Sequence, residues 1–396
     1  MNPDFSASVQ SRLADLIAFR HDLHAHPETS FEETRTSSKV LERLRDIPGL
    51  DIRDGLAGGT GICATLNAEK SGPCVLLRAD MDALPIEELS DLPYKSEHPG
   101  KMHACGHDGH TAMLLAAAQH LAAVGRFSGT LNLIFQPAEE GHGGAKAMMD
   151  DGLFTRFPCD AVFAMHNMPG QPQGKLLLRE GATMASSDGL TITLTGKGTH
   201  GAMPHFGVDP VVAGASIVLG LQSIVARNVD PKAMAVISVG AFQAGETHNV
   251  IPGKAVLKLS VRALDREVRA TLRRRIEELV DAQARSFGVS CQMETVTGYP
   301  VLVNTPAETE FARQVAEELV GAERVERQTE PLSGSEDFAF MLEAVPGSYL
   351  FIGNGDGPSD GHGACMVHNP GYDFNDANIP VGAAYWVLLT ERFLAA

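Results

Sequence analysis

The sequence predicts an α/β protein with a mixed, mostly parallel sheet that is covered by helices. A smaller α+β domain is inserted into the chain of this α/β domain. Three observations support this fold class. Strand-like and helical segments alternate through residues 1–187, a β-α-β-β-α-β order occupies residues 188–298, and the alternation resumes over residues 299–396. The length of 396 residues is enough for two or three domains of about 150 residues each.

In the first segment, helical periodicity extends over residues 8–45 and is broken in the middle by His26-Pro27. Short apolar runs then predict strands, and a stretch rich in Ala and Leu predicts a helix between two of them. The predicted strands are 74–78, 130–136 and 161–165, and the predicted helix is 111–124.

The inserted domain starts where alternation of apolar and polar residues predicts a half-exposed strand at 190–195. The remaining predicted elements are a helix at 210–227, strands at 233–241 and 255–264, a charged helix at 266–287 and a strand at 289–296. This order is a split β-α-β unit of about a hundred residues, which is a ferredoxin-like arrangement.

Composition excludes several classes of protein. With 32 basic and 49 acidic residues the net charge is −17, so nucleic acid and anionic membranes would be repelled, and no basic patch offsets this. The uncharged stretch 210–226 is shorter than the roughly 20 apolar residues of a membrane span, and we expect it to be a buried helix. The six cysteines have no framework spacing and the first ten residues do not resemble an export signal, which favours the cytoplasm.

The densest polar cluster is MHACGHDGH at 102–110, ahead of the predicted helix. Cys105 and His107 are two residues apart, so their side chains can converge on one ion. A thiolate with an imidazole favours Zn²⁺ or a similar transition metal over Mg²⁺ or Ca²⁺. A buried structural cysteine with histidines that cap the helix is the alternative, and the density of the cluster favours the metal.

Polar residues follow other predicted strands in the same way. Glu139 and Glu140 follow the strand at 130–136, where one carboxylate can bind a metal while the other acts as a general base. His166 follows the strand at 161–165, and Asp80 and Asp82 follow the strand at 74–78. Taken singly, an acidic turn, a core histidine or a pair of capping aspartates explains each of these. A further histidine, His368, lies near the C-terminus, and it too could be a core histidine instead of a ligand.

Together these groups point to one edge of the sheet, since ligands bind at the carboxyl ends of parallel strands. The five plausible ligands are Cys105, His107, Glu140, His166 and His368. One tetrahedral ion needs fewer, whereas two ions that share a ligand and a water fit well. The sequence therefore predicts a metallohydrolase with two divalent ions, and Zn, Mn, Ni and Co remain open.

The motifs that carry these residues, in order along nearly the whole chain, are RHDLHAHPE at 20–28, RADMDALP at 78–85, HACGHDGH at 103–110, FQPAEEG at 135–141, GTHGAMPH at 198–205, NVIP at 249–252, GSEDF at 334–338 and HNPGYDF at 368–374. This set resembles the M20 metallopeptidase family. It is most similar to the amidohydrolase branch, which contains hippurate hydrolases, N-acyl-amino-acid amidohydrolases, N-acetyldiaminopimelate deacetylases and auxin-conjugate hydrolases.

The resemblance implies a zinc-peptidase-like catalytic domain and an inserted lid domain that forms a homodimer. It carries the metal ligands onto the five residues named above and the general acid/base onto Glu139. Asp80 stands where relatives have a ligand histidine and Asp82 where they have an orienting aspartate. His200 and Asn249, both in the inserted domain, match groups that approach the scissile carbonyl or the substrate carboxylate.

We therefore expect a metal-dependent amidohydrolase that acts on a small molecule, an N-acyl amino acid of the hippurate or N-acetyl type, and releases a carboxylate and a free amino acid. Two alternatives remain. One is a dipeptidase or carboxypeptidase of the same fold, and the other is a metal-binding dimer without catalytic activity. Nucleic acid and membrane partners are not expected.

Overall fold

The computed structural model describes residues 3–67, 71–357 and 365–395 of the chain. Two compact units divide it. The large unit contains Met1–Gly181, Val303–Glu330 and Asp337–Ala396, and the inserted unit contains Ala182–Leu302 and Pro331–Glu336. These boundaries lie slightly outside the predicted insertion at 188–298. The strand predicted at 190–195 begins earlier, at Ser186, where the polar sequence Ser-Ser-Asp gave no apolar signal.

The elements of the first segment are α1 Pro3–Ala25, α2 Thr34–Arg45, β1 Leu50–Leu56, β2 Gly61–Leu66, β3 Cys74–Asp80, α3 His107–Val124, β4 Thr130–Gln136, α4 Gly144–Asp150, α5 Leu153–Arg156, β5 Ala161–Pro169, β6 Leu176–Leu177 and β7 Gly181–Met184. The insertion continues with β8 Ser186–Thr195, β9 Thr199–His200, α6 Pro210–Asn228, β10 Ala235–Ala244, β11 Val250–Ile251, β12 Lys254–Ala263, α7 Arg266–Ser286 and β13 Ser290–Thr297. The last elements are β14 Leu302–Asn304, α8 Pro306–Val320, β15 Val325–Glu326, α9 Phe338–Ala344, β16 Gly347–Gly355 and α10 Asn378–Phe393.

The large unit is built on one mixed sheet of eight strands in the order β1-β2-β4-β3-β5-β16-β6-β15. Its centre is parallel: β3 pairs with β4 and with β5, and β16 pairs with β5, all in the same direction. The strands β2, β4 and β16 are buried almost without interruption, because helices cover both faces of the sheet. The predicted α/β class with a mixed sheet is confirmed.

Helix α3 lies against the central strands and packs on α1 and α10, while α8 packs on α10 and β16. The sequence of α3 is rich in Ala and Leu, and its residues from His107 to Ala118 are buried. A helix that is apolar on every side is one that the core surrounds. The N-terminus of α3 is therefore held firmly at the edge of the sheet where β3, β4 and β5 end.

The inserted unit has a second, fully antiparallel sheet in the order β10-β12-β8-β13, with α6 and α7 packed against each other and on the sheet. Burial alternates residue by residue along β8, as expected when helices cover one face only. The order β-α-β-β-α-β and this strand arrangement are those of a split β-α-β unit. A role of this unit as a lid stays a prediction.

Helix α6 corrects one expectation. By length and composition alone it could cross a membrane, and the sequence predicted that it is buried. In the inserted unit one face, with Ala213, Ile217 and Leu221, belongs to the core, whereas Val212 and Leu219 on the opposite face are 52% and 75% exposed. The helix is thus buried on one face and exposed on the other, although both faces are apolar.

Candidate metal centre

The predicted site residues of the large unit meet at the edge formed by the carboxyl ends of the parallel strands. Asp80 is the last residue of β3, Glu139 follows β4, and His166 lies in the second half of β5. Because β3 runs parallel to both β4 and β5, these residues are brought to one side of the sheet. His166 is thus inside a strand and not after it, as the sequence had suggested, because β5 continues to Pro169.

Among the described residues, five groups of three side chains could hold a metal ion, and two of them, which overlap, consist only of predicted ligands. In each group the donor atoms lie within 4.8 Å of one another. One group joins Cys105, His107 and His166, and the other joins Cys105, Glu140 and His368. All five predicted ligands are included, and Cys105 belongs to both groups. This is the arrangement expected of two ions that share one ligand.

The backbone at Gly106 makes the approach of Cys105 and His107 possible. Gly106 has a left-handed φ of 88° and is the N-cap of α3, which begins at His107, four residues before the predicted start. A Cβ atom at this position would collide with the side chains of Asn167 and Tyr372. Only glycine satisfies both the conformation and the space.

Unpaired polar atoms mark where a cation fits. Within the described part of the chain, His107 Nε2 and Glu140 Oε1 are buried and make no hydrogen bond. They lie 3.9 Å apart, and His368 Nε2 lies 3.2 Å from the same Glu140 oxygen. Buried polar atoms without hydrogen bonds are costly, so their convergence fits coordination of a metal.

Asp82 holds two of these groups in place. Its Oδ1 lies 3.2 Å from Nδ1 of His107, and its Oδ2 accepts the backbone N–H of Glu140 at 2.9 Å. Ser30 also donates to Oδ2, at 3.0 Å. With a proton on Nδ1, the Nε2 atom of His107 keeps its lone pair for a metal, which is the usual carboxylate–histidine–metal arrangement.

His166 is oriented by its own chain. Its Nδ1 lies 2.7 Å from the carbonyl oxygen of Asn167, which leaves Nε2 3.3 Å from Cys105 Sγ. Burial, followed by the neighbouring His110, lowers the pKa of His166 well below its usual range. The ring is therefore neutral, as a metal ligand must be.

One other histidine of the 102–110 cluster, His110, has both ring nitrogens engaged by other groups. His110 places Nδ1 2.6 Å from Asp80 and accepts the backbone N–H of Asn167 on Nε2 at 3.0 Å. Asp80 is itself bonded to Arg78 at 2.6 Å through its second oxygen. His103 is fully buried, and burial lowers its pKa to about 4. The cluster thus divides into ligands and supporting groups, which its sequence did not reveal.

The electrostatics of the site favour a positive charge. Burial alone would lower the pKa of His107, but Asp80, Asp82 and Glu140 outweigh it and raise the pKa to about 10. Burial raises the pKa of the Cys105 thiol well above its usual range, and the carboxylates of Glu140 and Glu139 add to the effect. A divalent cation would reverse both effects by replacing a proton on each group.

Two supporting residues were missed at the level of sequence. Asn167 donates its side-chain N–H to the carbonyl of Cys105 at 2.6 Å and accepts from Tyr372 Oη at 2.7 Å. Arg20, fully buried in α1, pairs with three carboxylates, those of Asp108, Asp373 and Asp376 at 3.2, 2.9 and 2.8 Å. A charged residue at an apolar position of a helix was the available signal for Arg20.

The predicted substrate residues lie in the inserted unit on a two-stranded ribbon. There β9 pairs with β11, so that His200 lies opposite Val250, and Gly201 donates its N–H to the carbonyl of Asn249 at 2.7 Å. His200 is exposed, and its Nδ1 accepts the backbone N–H of Ala202 at 3.1 Å. That bond leaves the proton of the neutral ring on Nε2.

The fold and the donor set of the large unit define a metal-dependent hydrolase. The model of peptidase family M20/M25/M40 matches residues 76–392. Among similar proteins, a hippurate hydrolase of Campylobacter jejuni is 43% identical over 95% of both chains. A protein of Saccharolobus solfataricus described as thermostable carboxypeptidase 2 is 37% identical over 85% of both.

A solved structure agrees. A Bacillus subtilis protein described as a dinuclear metal-binding peptidase of family M20 superposes with a TM-score of 0.82 at 32% identity, covering 97% of this chain and 99% of the other. The chain belongs to peptidase family M20/M25/M40, and within that family it is a metal-dependent amidohydrolase.

Proposed function

We propose that this protein hydrolyses the amide bond of N-acyl amino acids with the help of two divalent metal ions. The observation that carries the proposal is the pair of donor groups that share Cys105, with Glu139 beside them: Glu139, Glu140 and His107 also have ligand atoms within 4.8 Å of one another. The similarity to a hippurate hydrolase and to a dinuclear peptidase supports it.

In this proposal Cys105, His107 and His166 hold one ion, while Cys105, Glu140 and His368 hold the other. When bound, the two ions supply the Lewis acidity that polarises an amide carbonyl and acidifies water. Thiolate, imidazole and carboxylate donors suit Zn, Mn, Ni and Co, and the donor set does not select among them.

Glu139 is proposed to move the proton. It is buried, three residues after the end of β4. Its carboxylate takes a proton from the attacking water and later delivers it to the nitrogen of the leaving amino acid. The products are a carboxylate and a free amine, and no covalent bond forms between enzyme and substrate.

Asp82 and Asp80 are proposed to orient and not to react. Both oxygens of each carboxylate are engaged, those of Asp82 with His107, Glu140 and Ser30 and those of Asp80 with Arg78 and His110. A carboxylate whose two oxygens already interact with such partners is poorly suited to accept a proton from water. Their removal should therefore weaken metal binding first.

His200 and Asn249 are proposed to contact the substrate. The Nε2 proton of His200 suits an oxygen that becomes negative when the carbonyl is attacked, and the amide of Asn249 suits a carboxylate or carbonyl. The homodimer formed through the inserted unit and a location in the cytoplasm, both expected from the sequence, remain part of the proposal.

A carboxypeptidase is the second candidate, favoured by the 37% identity to a protein described as thermostable carboxypeptidase 2. The two functions separate cleanly in one experiment. The metal-loaded protein is given N-benzoylglycine, N-acetyl amino acids and peptides with the same C-terminal residues, and the released amino acid is measured. We expect kcat/KM to be highest for an N-acyl amino acid. Faster cleavage of the peptides would favour the second candidate.

A further inference from the structure

Glu139 lies in a short turn between β4 and α4 whose backbone is held on both sides by buried carboxylates. Before it, the N–H of Ala138 donates to Glu33 Oε1 at 2.9 Å. After it, the N–H of Glu140 donates to Asp82 Oδ2 at 2.9 Å. The second carboxylate belongs to the metal centre, whereas the Glu33 carboxylate accepts hydrogen bonds from Ala138, Phe31 and Thr60.

The backbone that Glu33 holds is strained. Ala138 has a φ of 56°, in the left-handed region that L-residues other than glycine rarely occupy. Phe31 has a φ of 64°, and its N–H donates to the same oxygen of Glu33 at 3.0 Å. One carboxylate oxygen therefore holds two left-handed backbone positions, one of which directly precedes Glu139.

We call Glu33 a clamp because its carboxylate holds the backbone at Phe31 and at Ala138. Its side chain is fully buried, and its second oxygen accepts the hydroxyl of Thr60 at 3.1 Å. Burial, and next the charge of Asp82, raise the pKa of Glu33 to about 7. Burial of a carboxylate lowers the stability of the fold unless the carboxylate is hydrogen-bonded. The three hydrogen bonds of Glu33 offset this cost and at the same time hold the local backbone.

We propose that Glu33 is a positioning residue for Glu139: by accepting the N–H of Ala138 it maintains the left-handed turn that aims the Glu139 carboxylate. The inference rests on the proposed function, in which Glu139 must reach the attacking water. Proton transfer requires a carboxylate within hydrogen-bond distance, and a displacement of about 1 Å can cost about 100-fold in rate.

The first test compares two substitutions of similar volume. Glu33→Gln keeps an oxygen that can accept both backbone N–H groups, whereas Glu33→Met keeps none. We expect kcat of the Gln variant to stay within about threefold of wild type and kcat of the Met variant to fall about 100-fold, with KM and metal content little changed. Equal losses in both variants, or no loss in the Met variant, would overturn the proposal.

The second test asks whether the effect passes through Ala138. Glycine adopts a left-handed φ at no steric cost, so Glu33→Met combined with Ala138→Gly should recover about tenfold of the lost kcat. Failure to recover any activity would contradict the proposed route. If Glu33→Met does not fold, Ala138→Val tests the same turn with Glu33 in place. It should lower kcat at full metal content, and unchanged kcat would contradict the clamp.

Glu28 provides a matched control. It lies five residues before Glu33, and its carboxylate accepts the N–H groups of Arg35 and Thr36 at 3.0 and 2.7 Å and the hydroxyl of Thr34 at 3.2 Å. Glu28→Met should lower Tm and leave kcat unchanged, and a loss of kcat equal to that of Glu33→Met would show that general destabilisation explains both. Wild-type turnover tests the proposed function alone. The ratio of variant to wild-type kcat, on whichever amide the wild type cleaves, tests the clamp.

Discussion

The predicted site residues of the large unit and those of the inserted unit are held in very different ways. In the large unit, His107 and the backbone N–H of Glu140 are held by the buried carboxylate of Asp82, and His166 donates to the carbonyl oxygen of Asn167. In the inserted unit, His200 and Asn249 are exposed on a ribbon of two short strands. Metal coordination requires donor atoms that are held in place, whereas groups that contact substrate can be held by fewer interactions.

The difference predicts two kinds of mutant. Substitutions in the large unit should change metal affinity or the chemical step, and substitutions in the ribbon should leave the metal in place. Four measurements test this division.

The largest effect is expected for Glu139→Gln. The amide cannot take a proton from water, so kcat should fall by about 10³-fold or more while the metal content stays at the wild-type value. Metal content is measured by elemental analysis of the same sample. Turnover close to wild type in the fully metallated variant would contradict the role of Glu139.

A smaller loss is expected for His200→Ala. In the proposed function His200 donates to the developing oxyanion, so its removal should lower kcat by about 100-fold, with metal content and Tm unchanged because the residue is exposed. Asn249→Ala serves as the companion variant on the same ribbon. An increase in KM without a change in kcat would show that His200 only binds substrate.

Asp82→Asn should act through the metal. Loss of the carboxylate that orients His107 and Glu140 should weaken metal binding by about 10- to 100-fold. Competition with a chelator measures this, and excess metal should restore most of the activity. Unchanged affinity would remove the main distinction between the two units.

The smallest effect on turnover is expected for Glu33→Gln, whose main consequence concerns stability and pH. The folded chain holds a proton on Glu33 more tightly than the unfolded chain, because burial and Asp82 raise its pKa to about 7. The free energy of unfolding should therefore fall as pH rises from about 4.5 to 7, by up to about 3 kcal/mol. In the Glu33→Gln variant this part of the pH dependence should vanish. Identical pH profiles of the two proteins in urea unfolding would contradict the assignment.

Much of the fold could be predicted from the sequence because its elements follow simple patterns. The strand at 130–136 and the ends of the helix that starts at Pro210 agree with the structure within one residue. The start of α3 was missed, since the His, Gly and Asp residues of its first turn have low helix propensity and are helical only through tertiary packing. The exposed apolar face of α6 was missed because apolar composition alone does not show which side is covered.

The five predicted donor residues come together in the structure, and they were recognisable because metals require particular atoms at particular spacings. Of the residues that support them, Asp82 was named from the resemblance, whereas Asn167 and Glu33 were not named. Asn167 resembles any polar residue at a strand end, and Glu33 resembles an acidic residue before a helix. What makes them important is a partner distant in sequence, such as Cys105 for Asn167 or Ala138 for Glu33. Pairs of this kind are set by the fold and leave no local pattern.

The central claim is that two metal ions at one edge of the large unit's sheet, sharing Cys105, make this protein an amidohydrolase. The most direct test is to titrate the metal-free protein with Zn²⁺ or Mn²⁺ while hydrolysis of an N-acyl amino acid and bound metal are measured together. We expect activity to rise until two ions are bound per chain and to require both. A maximum at one ion, or turnover independent of metal, would contradict the account.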